Sequence, residues 1–106
     1  MVKKHYKVLW NDEAKVSLHR VYNYIKKQES AEQANKVRKE IRELASSFGF
    51  MPHKYTRDPF LEEDHRDILY KVIWSYRLVY EVTRETVIIL DVIHTSRNPL
   101  SLRLVK

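Results

Sequence analysis

The chain has 106 residues, no cysteine and a formal net charge of +6, from 20 Lys and Arg against 14 Asp and Glu. That length suits one domain around one core, and the missing cysteines exclude a disulfide framework, a thiolate metal site and a thiolate nucleophile. With 43% hydrophobic and 32% charged residues, the composition reads as globular and not as disordered.

The opening stretch MVKKHYKVLW is basic but lacks the apolar region of a secretory signal. No apolar run approaches the ~20 residues of a membrane span, so a soluble cytoplasmic protein with no membrane partner is expected. Within that stretch, KHYKVLW alternates Tyr6, Val8 and Trp10 against Lys7 and Leu9, which predicts a short strand. Asn11 or Asp12 can cap the helix that follows, in which Ala14, Leu18, Val21 and Ile25 fall at helical spacing. Ser30 and Gln33 form a capping-box pattern for a second helix, whose stripe is Ala34, Val37, Ile41, Leu44 and Phe48. Gly49, the single glycine, stands where a left-handed C-cap is expected, and Pro52 follows.

Residues 50–66 hold Pro52, Pro59 and the acidic run around Glu62–Asp64, and read as a long surface loop. Beyond it the period changes to two: DILYKVIW (67–74), YRLVYEV (76–82) and TVIILDVIH (86–94) are three strands. Such short connections make them antiparallel. The order β-α-α-β-β-β predicts an α+β domain of two layers, a helical hairpin packed on an antiparallel sheet.

One glycine is too few for a Walker loop or a dinucleotide fingerprint, and the histidines at 5, 19, 53, 65 and 94 have no metal-ligand spacing. No cofactor and no metal are expected. The remaining candidates are polar residues on or ending the strands: Lys71, Arg77 with Glu81, His94 and Arg97. Gathered on the sheet surface that the helices leave open, the cations could hold phosphate and the imidazole could move a proton. RNA cleavage needs those parts: a base for the 2′-hydroxyl, cations for the phosphate and an acid for the leaving oxygen. Structural roles fit the same residues. Arg77 and Glu81 could be a cross-strand ion pair, His94, following Ile88, Leu90 and Val92, could sit at the core rim, and Arg97 could bond the C-terminal segment. The basic excess, mostly in the N-terminal half, suits an acidic protein or nucleic acid, and equally a solvated helix face.

The ordered set EAKVSLHRVYNYIKKQ, AEQANKVRKEIRELASSF, YRLVYEV and VIILDVIHTSRNP resembles the RelE/ParE superfamily, the toxin halves of bacterial type II toxin–antitoxin modules. The resemblance runs from about Tyr6 to Pro99 and implies a single toxin domain over residues 1–106. It implies the same β-α-α-β-β-β order, and a cognate antitoxin whose C-terminal segment wraps the toxin through a helix in a groove or an added strand. Oligomers with the antitoxin and a role in plasmid stabilisation are further implications. RelE-like members are metal-independent, ribosome-dependent mRNA endoribonucleases that use Lys, Arg and a Tyr proton donor. Lys71 matches their first Lys, but Ile73 stands at the second; Arg77 matches the Arg of YRLVY, and Arg97 could match their later Arg, although the spacing around HTSR differs. No tyrosine follows Tyr80, so their C-terminal Tyr has no counterpart, and His94 could replace it as an acid. The H-x-x-R ending looks more like the ParE-like branch, which poisons DNA gyrase without cleaving RNA. On that branch Arg77, His94 and Arg97 become target-binding residues.

Overall fold

The computed structural model describes residues 5–57 and 66–96. Its elements are β1 (Lys7–Trp10), α1 (Asp12–Gln28), α2 (Ala31–Ser47), a 3-10 turn (Pro52–Lys54), β2 (Thr56–Arg57), β3 (Asp67–Ile73), β4 (Tyr76–Val82) and β5 (Thr86–His94). The α+β architecture is the expected one, a helical hairpin lying on one face of a sheet. The sheet order is β1-β5-β4-β3-β2. The antiparallel argument governs β3, β4 and β5, which follow one another closely. It does not reach β1, which is separated from β5 by most of the chain and lies parallel to it. The sheet is therefore mixed. The expected 50–66 loop contains the 3-10 turn and β2, which pairs with β3; its acidic run and Pro59 lie outside the described residues.

Asn11 caps α1, its side chain accepting from Ala14 N at 2.7 Å, and Ser30 Oγ accepts from Gln33 N at 3.0 Å to start α2. The buried stripes are Ala14, Leu18, Val21 and Ile25 on α1, and Ala34, Val37, Ile41 and Ala45 on α2. They meet Leu69, Tyr76, Leu78, Tyr80, Val82, Val87, Ile89 and Val92 of the sheet. Phe48 stacks on Tyr80 at 4.0 Å, with both rings fully buried. Tyr80 donates its hydroxyl to Pro52 O at 2.5 Å, which ties the 3-10 turn to the core.

Gly49 does not take the expected left-handed conformation. The end of α2 tightens instead, through bonds from Phe48 N, Gly49 N and Phe50 N to carbonyls three residues back, so the last carbonyls are satisfied without a left-handed cap. Glycine is needed there for a close approach: Tyr6 N donates to Gly49 O at 2.7 Å, and a Cβ would stand 2.9 Å from Tyr6 O.

Among the described residues the left-handed one is Trp74, at φ 55° in the two-residue turn between β3 and β4. Its indole donates to Glu40 Oε1 at 3.2 Å and lies under Lys36 Nζ, so α2 holds the hairpin tip. Trp74→Gly and Trp74→Ala lose those contacts equally, but only alanine keeps a Cβ at positive φ. Glycine is expected to be the more stable variant by about 1 kcal/mol. Equal urea midpoints would mean that the turn relaxes once the indole is gone.

Candidate functional site

Strand alternation and register divide the sequence candidates between two faces. On β4, Tyr76, Leu78, Tyr80 and Val82 point to the helices, so Arg77, Val79 and Glu81 point away. Arg77 stands between Val72 of β3 and Ile93 of β5, beside a second small cluster of Ile68, Val79 and Ile93 with Tyr70 and Leu90. Its guanidinium carbon lies 4.8 Å from the Tyr70 ring centroid. Its Nε is buried and makes no hydrogen bond. Glu81 shares this face but makes no ion pair with Arg77, their positions being about 13 Å apart along an extended strand. The cation is presented on an apolar, aromatic surface with donor capacity unused.

His94 lies on the other face. A bulge sets Tyr80 opposite Ile89 and Val79 opposite Asp91, so Leu90 is an extra residue that shifts the alternation. Ile88 and Leu90 therefore do not share a side with His94, which follows Val92 toward the helices. The imidazole meets the buried Tyr76 ring edge-on at 5.4 Å. Ser96 N donates to His94 Nδ1 at 3.1 Å and Ser96 Oγ lies 2.7 Å from it, which places the proton of the neutral ring on Nε2. Thr95 N donates to Ser75 O. The polar run after β5 thus folds back on itself and onto the β3–β4 turn. Burial, with Tyr24 and Glu29 nearby, raises the Tyr76 pKa.

Lys71 pairs with Leu78 and so faces the helix side, near the β2 edge. Its Nζ is 5.0 Å from the Tyr55 ring centroid, with Lys54 Nζ at 5.5 Å from the same ring. Next to this group His53 Nε2 meets Asp67 Oδ2 at 2.6 Å. Burial raises the Tyr80 pKa behind it, with Tyr55 and Asp67 adding to the effect. Arg97 lies outside the described residues.

The expected gathering of Lys71, Arg77 and His94 on the open face is not what the fold delivers. Arg77 faces away from the other two, and Lys71 and His94 stand on strands either side of β4, about 10 Å apart across the sheet. One phosphodiester cannot be reached by all three at hydrogen-bond distance. Sequence reasoning missed Tyr55, which the chain leading into an unforeseen strand brings to Lys71, and the His53–Asp67 pair. It also missed Asp91, 3% exposed on the bulge and bonded to Val92 N. Among the described residues no group of acidic and histidine side chains could hold a metal ion, and no helix is long and apolar enough to cross a membrane.

The family model described as "ParE toxin of type II toxin-antitoxin system, parDE" matches residues 8–99. Among solved structures the chain is similar to one titled "Chromosomal ParDE TA system from P. aeruginosa", with a TM-score of 0.70 and 18% identity over 85% of this chain and 96% of that one. At that identity the likeness speaks for the fold. No curated protein matches the chain.

Proposed function

The chain belongs to the ParE toxin family of type II toxin–antitoxin systems, and from that premise we propose that it arrests growth by binding DNA gyrase and is neutralised by a cognate antitoxin. In this reading the protein works in the cytoplasm, serves a plasmid-stabilisation type of module and assembles with its antitoxin. The observation that carries the choice of target is the split of Lys71, Arg77 and His94 between two sheet faces. A protein target can be gripped at separate points on a surface; a single scissile phosphate cannot. Arg77, His94 and Arg97 are the target-binding residues. The Arg77 guanidinium has unused donors against an apolar ring, a setting in which a partner's carboxylate or carbonyl gains a charge-assisted bond.

Pulse-labelling after induction of the toxin alone tests this directly. DNA synthesis should fall before protein synthesis, and purified toxin should inhibit supercoiling by gyrase. Early loss of protein synthesis would instead favour an mRNA endoribonuclease acting at the ribosome. Unaltered growth would leave a relative that only binds antitoxin.

A further inference from the structure

The β2–β3 edge gathers donors that no described residue uses. The ammonium groups of Lys54 and Lys71 both lie within 5.5 Å of the Tyr55 ring centroid, yet neither has a carboxylate partner among the described residues. The Tyr55 hydroxyl makes no hydrogen bond among the described residues. The one acid described at the site, Asp67, is engaged by His53 Nε2 at 2.6 Å, which leaves His53 Nδ1 unpartnered on an exposed side chain. We propose that Lys54, Tyr55 and Lys71, with His53 held by Asp67, form a binding site for the phosphodiester backbone of a nucleic-acid strand.

Two like charges beside one ring repel, and an anion between them removes that repulsion. A phosphodiester presents two strong acceptor oxygens, as a carboxylate does, but it repeats along a strand, so two lysines and a phenol can be served together. The support behind the site is tied to the core. The 3-10 turn that carries His53 and Lys54 is closed by Lys54 N donating to Met51 O and anchored by the Tyr80 bond to Pro52 O. Tyr55 packs edge-on against the fully buried Phe48. The donors are therefore positioned before a ligand arrives, which limits the entropy lost on binding. This site lies on the helix-side face, across the sheet from Arg77, and does not depend on gyrase being the target.

Fluorescence anisotropy with the full chain and short labelled single strands, one DNA and one RNA of equivalent sequence, tests the site. Lys54→Ala/Lys71→Ala is expected to weaken binding at low salt roughly tenfold and to lower the salt slope by about 1.4, the share of two phosphate contacts on a single strand. Lys39→Ala/Arg42→Ala removes the same charge from the exposed face of α2 and should change both much less. Preference for one strand would identify the source of the phosphodiester. Equal losses in the two variants would mean diffuse attraction to a basic protein and would overturn the site. So would binding of neither strand, or displacement by polyglutamate as readily as by unlabelled oligonucleotide.

Discussion

Phe48→Ala is expected to lower the folding free energy by about 3–5 kcal/mol, out of the 5–15 kcal/mol typical of such a domain. Phe48 has no exposed surface, stacks on Tyr80 at 4.0 Å and receives the edge of Tyr55 at 5.7 Å. It sits where α2 ends, so one ring joins the helical hairpin, the central strand β4 and the segment leading to β2. Alanine would leave a cavity walled by Tyr80, whose hydroxyl is already committed to Pro52 O and which cannot swing in without breaking that buried bond. The neighbouring Phe50→Ala serves as control: Phe50 is 62% exposed, and its loss should move stability by no more than about 0.5 kcal/mol. Urea unfolding of both variants measures the contrast. A Phe48→Ala cost near that of Phe50→Ala would mean the stack carries little of the core.

The helices were legible because their signals are local. The stripe residues Ala14, Leu18, Val21 and Ile25 are buried as spacing predicts, and the caps at Asn11 and Ser30 form. The meander was legible for the same reason. What periodicity could not reveal depends on contacts distant in sequence. Gly49 is explained by the approach of Tyr6, more than forty positions earlier, and not by its own helix end. The Val79/Tyr80 bulge changes which side His94 takes, and an alternating pattern read across Leu90 has no means of registering the extra residue. β2 is two residues long, too short for any period, yet it closes the edge where Lys71 meets Tyr55. The strand positions of Lys71, Arg77 and His94 were thus legible and their common geometry was not: Arg77 takes the open face as expected, while Lys71 and His94 lie on the helix side.

Arg77→Met is expected to abolish growth arrest while leaving the protein as stable as before or more so. Arg77 is half-buried against Tyr70, Val72 and Ile93, and its Nε is a buried donor with no acceptor. A group of that kind carries a desolvation cost of about 1–3 kcal/mol. Methionine fills much of the same volume without the donor or the charge, and it keeps a favourable contact with the ring. A residue retained only for folding should not improve stability when replaced in this way, so a stable and inactive variant separates binding from packing. Arg77→Lys sharpens the comparison, because it keeps the charge but not the planar fork. If the fork contacts a partner's carboxylate, lysine should restore little of the toxicity; if charge alone matters, it should restore most. Growth arrest on induction, read beside urea midpoints for the three proteins, decides between them. Full toxicity of Arg77→Met would remove this face from the target-binding surface, and would leave the end of β5 as the part of the protein that meets the target.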